Sequence, residues 1–401
     1  MPVGLPEIIE ARKRIQNLIQ LTPMSLSRSA SQLFGSDVYL KFENEQTTGS
    51  FKIRGSLNKI LGLSDKEKQK GIVASSAGNH AQGVAYSAQK VGAKARIVMP
   101  ENSPIIKVMA TQSYGAEVIL KGRVYDESYT YARELEKQHG YTFVHAFDDD
   151  TIIAGQGTLG VEILEAVSDL DAIVVPIGGG GLISGVATAV KALRPEIKVY
   201  GVVSEVSPGM KQMFEHRKAE APNTLLTIAD GISVKRPSER MYKEYISRLV
   251  DDIVDVTDDE IAEAIVFFLE RAKTVVEGSG AVTWAGAKKA GWDLGKKCCF
   301  LLSGGNIDLN LVSQVIERGL IQKGRLIRLI VIVQDRPGNL NRLTNVIAEK
   351  GANILDVKHD RVRPGLKISE TAIEFLLETR SESHARELKD AFISLGGRII
   401  E

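Results

Sequence analysis

The run Thr47-Thr48-Gly49-Ser50-Phe51-Lys52-Ile53-Arg54-Gly55-Ser56 sets one lysine directly behind a phenylalanine at the start of a helical pattern. A lysine that forms a Schiff base needs a poorly hydrated site where its neutral amine is accessible, and Phe51 offers an apolar ring face beside it. Taken alone, Lys52 reads more simply as a surface lysine, since the chain carries 51 Lys plus Arg. Three further runs change that reading.

The first, Ser75-Ser76-Ala77-Gly78-Asn79-His80-Ala81-Gln82-Gly83, follows a short strand and opens a helix. Free backbone N–H groups and the helix dipole can hold a carboxylate there. Asn79 reads equally as a plain cap. His80 is assigned no proton transfer, because the six histidines show no metal spacing and a lone His is more often a bonded core residue. The second run, Val174-Val175-Pro176-Ile177-Gly178-Gly179-Gly180-Gly181-Leu182, puts four glycines between a strand and a helix. Bare backbone can wrap a phosphate, and the absence of a Gly-Lys-Ser/Thr ending ranks a single phosphomonoester above a nucleotide. The third, Leu301-Leu302-Ser303-Gly304-Gly305-Asn306, sets the Ser303 hydroxyl at the carboxyl end of a strand, where parallel sheets bind ligands; an ordinary turn serine is the alternative.

Composition narrows the partners. A net charge of +1 over 401 residues leaves no footprint for nucleic acid or an anionic membrane, so small molecules are expected. Adjacent Cys298 and Cys299 lie in an apolar run and read as core packing in a reducing compartment. The N-terminal stretch, Met1 to Gln16, is amphipathic and lacks the apolar centre of a signal peptide, so a cytoplasmic location is expected. Ala172 to Val190 holds no charge, but Pro176 and the glycines make it a strand, loop and buried helix rather than a membrane span.

From Val38 to Ser303, β-branched runs alternate with helical periodicity, the mark of an α/β body with parallel sheets and crossover helices. Strands are predicted at Val38 to Phe42, Gly71 to Ser75, Ala95 to Met99, Glu117 to Leu120, Ala172 to Pro176, Val199 to Ser204 and Lys297 to Leu302. Helices are predicted at Asn79 to Val91, Pro104 to Tyr114, Val124 to Gln138, Ile152 to Val167 and Asp258 to Arg271. The texture changes near Gly319, after which the order is strand, helix, strand, strand, helix, strand, a ferredoxin-like βαββαβ unit. A catalytic domain over residues 1–320, with a small lobe at roughly 48–148 inserted in a large one, and a second domain over 325–401 are expected.

Together the four runs resemble the fold-type II pyridoxal phosphate (PLP) enzymes, and most closely the threonine dehydratases (threonine ammonia-lyases) that also deaminate serine. That resemblance implies PLP as cofactor. It makes Lys52 the lysine that carries the cofactor and acts as base, Phe51 the ring beside it and Asn79 the partner of its phenolic oxygen. Gly178, Gly179, Gly180, Gly181 and Leu182 become the phosphate cradle, and Ser303 the hydroxyl facing the pyridine nitrogen. Ser76, Ala77, Gly78, Asn79 and His80 fall on the loop that grips the substrate carboxylate. Serine racemases resemble this chain through the same runs but place a serine where Ala77 stands, so dehydration is expected over racemisation.

No divalent metal is expected, because Lys211 stands where that branch would use a second carboxylate beside Glu205; a monovalent cation held by carbonyls stays open. The C-terminal unit resembles an ACT domain through Gln334-Asp335-Arg336-Pro337-Gly338-Asn339-Leu340. That likeness implies a homo-oligomer, dimer or tetramer, with an amino-acid effector held near Asp335, Gly338, Asn339 and Leu340, or a pure oligomerisation module. β-Replacement enzymes such as cysteine synthases, and a non-enzymatic amino-acid sensor, are the alternatives.

Overall fold

Strands covered by helices on both faces must be apolar throughout, and β7 (Ala172–Pro176), β8 (Lys198–Ser204) and β10 (Lys297–Leu302) are buried along almost their whole length. The computed structural model describes residues 2–220, 222 and 226–400. It divides into two compact units, Met1–Ile307 and Asp308–Glu401.

The first unit holds two sheets. The larger has the order β1-β2-β10-β7-β8-β9, with β1 (Met24–Leu26), β2 (Asp37–Phe42) and β9 (Asp252–Val256) completing it. All neighbours are parallel except β1 against β2. The smaller sheet, order β5-β4-β3-β6, is wholly parallel: β3 (Ile72–Ser75), β4 (Ala95–Met99), β5 (Glu117–Leu120) and β6 (Thr142–Phe143). Its strands all come from the chain between β2 and β7. Because β10 lies between β2 and β7, the turn after β10 and the glycines after β7 emerge side by side at the carboxyl edge.

The seven predicted strands are present, each within one residue of its expected start. Three more lie outside that expectation: β1, β6 and β9 have two to five residues, and β9 carries two aspartates among half-exposed positions. The helix expected over Asp258 to Arg271 is α-helical only to Phe267 and continues as a π-helix over Phe268–Ala272. Phe268 is fully buried there while Phe267 stacks on Trp284, so two successive rings pack at the widened turn. The helix Leu5–Ile15 buries Ile8, Ala11 and Ile15; Met1, the first residue of the amphipathic stretch, lies outside the described residues. Among the described residues no helix is long and apolar enough to cross a membrane, and Ala172 to Val190 is β7, the glycines and part of the helix Gly181–Leu193.

In the second unit the helix Leu309–Gln322 runs through Gly319, where the sequence suggests a domain start; Gly319 is buried inside it, and the turn falls at Gly324, φ +61°. β11 (Leu326–Gln334), β12 (Asn353–Asp360), β13 (Glu370–Glu378) and β14 (Arg398–Ile400) pair antiparallel in the order β12-β13-β11-β14. With the helices Asn339–Glu349 and Glu382–Ser394 this is βαββαβ, closed over Leu329, Val331, Phe375, Leu388 and Phe392.

Candidate active site

Lys52 begins the helix Lys52–Leu61 with Phe51 just ahead of it. Its Nζ lies 5.2 Å from the Phe51 ring centroid and donates to the Ala146 carbonyl at 3.0 Å. Burial lowers its pKa from 10.5 to about 8, opposed by the charge of Glu277. At pH 7 about one amine in ten is then neutral, against about one in three thousand for an ordinary lysine. The amine is therefore poised to act as a nucleophile and base.

The residue after Ala146 joins the amine to the glycine loop. A Cβ on Gly179 would lie 2.4 Å from carbons of the Phe147 ring, and one on Gly181 would lie 2.8 Å from the Phe147 carbonyl oxygen. Gly180 has φ +100° and precedes the helix Gly181–Leu193, so the loop ends in the first-turn backbone N–H groups that have no partner within the helix. Leu182, in the first turn, is buried. Such a loop can bind a phosphate dianion.

The Ser303 carbonyl accepts from Phe51 N at 3.0 Å, and an isolated bridge joins Ser50 to Gly304. The turn after β10 is thereby held against the run that carries Lys52. The Ser303 hydroxyl is buried and donates to the Ser279 carbonyl at 3.3 Å, a long bond that leaves it available to another group.

Asn79 is the first residue of the helix Asn79–Lys90, whose cap is Gly78 with no side-chain bond, so capping is not its role. Its Nδ2 donates to Glu277 Oε1 at 2.7 Å, and its Oδ1 accepts from Asn306 Nδ2 at 2.7 Å. Ser76, Ala77 and Gly78 form the preceding loop, where Ser76 Oγ accepts from Gly78 N at 3.2 Å and, among the described residues, nothing stands within 4 Å of a Cβ placed on Gly78. His80 turns inward instead, its Nε2 bonded to the Val144 carbonyl at 2.9 Å.

Burial, with the charge of Lys52, lowers the His80 pKa from 6.5 to about 3. The unfolded imidazole protonates near pH 6.5 and the folded one only near 3, so acidification through that window favours unfolding by about 1.4 kcal/mol per pH unit. His145, also lowered by burial, adds in the same direction. The urea midpoint should fall from about pH 6.5 to about pH 5, and His80→Gln, which keeps a donor for Val144, should show a shallower fall.

Beneath Lys52 lies a charge cluster. Arg54 uses all five N–H donors: to Glu43 at 2.8 and 2.8 Å, to Glu162 at 2.6 and 2.8 Å, and to Thr158 Oγ1 at 3.1 Å. Lys41 Nζ completes it, 2.9 Å from Glu162. Burial alone would lower the Arg54 pKa, but the two carboxylates outweigh it and hold the guanidinium charged. The helix bearing Lys52 is thus fixed to the end of β2 and to the helix Asp150–Ala166.

Sequence reasoning missed Glu277, Phe147, Asn306 and this cluster. A signal for Glu277 existed: one carboxylate heads the helix Gly278–Ala290, whose first ten residues are buried and uncharged. Lys211 bonds the Asp255 carboxylate at 2.5 Å. In the second unit, Asp335 accepts from Arg361 Nε at 2.9 Å and Asn339 Nδ2 donates to the Gln334 carbonyl at 2.8 Å. Gly338, φ +91°, caps the helix in which Leu340 is partly exposed.

A family model described as pyridoxal-phosphate dependent enzyme matches residues 15–304, and one described as ACT domain matches residues 327–397. This chain belongs to the pyridoxal-phosphate dependent enzyme family and carries a C-terminal ACT domain. Among its relatives is the L-threonine ammonia-lyase of Thermotoga maritima, 45% identical over 98% of both chains. A crystal structure of threonine deaminase from T.th. superposes with a TM-score of 0.72 at 40% identity, covering 77% of this chain and 99% of that one. Serine racemase from Dictyostelium discoideum does so with a TM-score of 0.72 at 37% identity, covering 77% and 99%. The fold-type II architecture, the cofactor and the ACT unit expected from sequence are therefore those of its family.

Proposed function

We propose that this chain catalyses the PLP-dependent dehydration and deamination of L-threonine to 2-oxobutanoate and ammonia, and of L-serine to pyruvate and ammonia. The observation that carries it is the desolvated Lys52 amine, bonded to Ala146 next to the ring that packs on the glycine loop. Gly178 to Gly181, with the N–H of Leu182, would hold the cofactor phosphate, Lys52 would be its anchoring amine, and Phe51, Asn79 and Ser303 would serve its ring, its phenolic oxygen and its ring nitrogen. Bound PLP supplies an electron sink that makes the substrate Cα–H acidic and lets the β-hydroxyl leave.

The chain's own groups do the rest. The loop Ser76-Ala77-Gly78, at the head of the Asn79 helix, orients the substrate carboxylate with backbone N–H groups. His80 contributes only its backbone there, since its ring is in the core. The Lys52 amine removes the Cα proton as general base. Ser303 would offer the ring nitrogen a neutral hydroxyl rather than a carboxylate, which would favour prompt elimination over transamination. Ala77 carries no acid, so reprotonation from the opposite face lacks a donor and racemisation is disfavoured.

The ACT unit supports regulation by an amino acid, its carboxylate at the N–H groups near Gly338 and Leu340 and its ammonium near Asp335 or Asn339, in a homo-oligomer. Two buried free thiols, Cys298 and Cys299, support a cytoplasmic setting. The test is to incubate purified holoenzyme with each amino acid and follow 2-oxo acid and ammonia, which should appear in equal amounts. Accumulation of D-serine without oxo acid, or of cysteine when sulfide is added, would replace this reading.

A further inference from the structure

We propose that Glu277 and Asn306 are positioning residues that lock the Asn79 amide in one orientation and leave it a single N–H for the phenolic oxygen of the cofactor. A backbone carbonyl sets the direction of the whole chain of bonds. Asn306 Nδ2 donates to the Thr48 carbonyl at 2.8 Å, and a carbonyl can only accept, so the Asn306 amide cannot be reversed. The same Nδ2 reaches Asn79 at 2.7 Å and therefore faces the oxygen of that amide. With Oδ1 so assigned, Asn79 Nδ2 points at Glu277 Oε1, 2.7 Å away. One of its two N–H groups is spent on that bond, and one remains.

Two glycines of the sequence runs make room for the lock. A Cβ on Gly49, which has φ +71°, would stand 2.3 Å from Asn306 Oδ1, and a Cβ on Gly304 would stand 2.5 Å from Glu277 Oε1. The backbone is zipped around them by Gly305 N to the Gly49 carbonyl at 2.9 Å and Glu277 N to the Gly304 carbonyl at 3.0 Å. Burial raises the Glu277 pKa to about 8, with Asp230 adding to the rise and the Asn79 hydrogen bond, the charge of Lys107 and the Asn306 backbone opposing it. At neutral pH the acid is then mostly uncharged, so a glutamine imitates it closely. Of the charged groups around it, Asp230 and Lys107 also pair with each other, and Lys52 is stabilised as a cation only by the minor ionised fraction of Glu277.

This inference rests on PLP binding through Lys52 and not on the identity of the substrate, so its test reads the bound cofactor. Holoenzymes of the parent, Glu277→Gln, Glu277→Ala and Asn306→Ala are titrated with pH while the visible absorption band of the cofactor is followed. Both alanine variants should move the midpoint by about half a pH unit or more, the weight of one hydrogen bond, and Glu277→Gln should restore the parent midpoint. Alanine variants with the parent midpoint overturn the proposal, as does a glutamine variant that behaves like Glu277→Ala. If Glu277→Ala does not fold, Glu277→Met, which fills the space without a carboxyl acceptor, takes its place and should move the midpoint as Asn306→Ala does. A parent with no band removes the Lys52 reading and this one with it; a parent with a band and unmoved variants removes only this one.

Discussion

Lys52→Ala should lower 2-oxo acid formation from L-threonine by at least about a thousandfold, since one side chain serves both as the anchor of the cofactor and as the base. Stability should change little, because the substitution removes a poorly solvated amine whose hydrogen bond is to the Ala146 carbonyl. Borohydride reduction of the parent should fix PLP on the peptide containing Lys52, and the variant should lose that label. Equal turnover by parent and variant would take Lys52 out of the chemistry.

Arg54→Ala should destabilise the first unit by about 3–5 kcal/mol, the usual cost of leaving buried charge without its partner. Glu43 and Glu162 would then share only Lys41 and neutral donors in a region with almost no solvent contact. Arg54→Lys should recover part of the loss, since an ammonium cannot replace a five-donor fork. The deficit should shrink as pH falls towards about 5, because Glu162, held below its usual range against burial by Arg54 and Lys41 in the parent, loses its main counter-charge in the variant and takes up a proton more readily. Urea titrations at about pH 5 and about pH 7.5 read both effects.

What was legible in the sequence is what local chemistry dictates. Four glycines between Pro176 and Leu182 announce a backbone that must approach a ligand, and continuous apolar runs such as Cys298 to Leu302 announce a doubly covered strand. The ferredoxin-like order of the second unit followed from period alone. Short or acidic strands such as β6 and β9 give no such signal, because their neighbours rather than their side chains make them strands. Arg54 and Glu43 were invisible as core residues, since an isolated charge in a sequence reads as solvent-facing. Burial of Arg54 depends on Glu162, 108 positions away, and Asn79 likewise meets Glu277 across 198 positions. Pairing over such distances is a property of the assembled sheets and not of any window of sequence.

The insertion of β10 between β2 and β7 also governs when a newly made chain can acquire vitamin B6. On the ribosome, Asp37–Phe42 emerges early and must wait for Lys297–Leu302 before the middle of its sheet exists. Until then the glycine loop has no serine beside it, and the exposed strand flanks invite pairing with other nascent chains. Loading of the vitamin is therefore expected late, and fragments that stop before Ser303 should stay colourless however well their earlier segments fold.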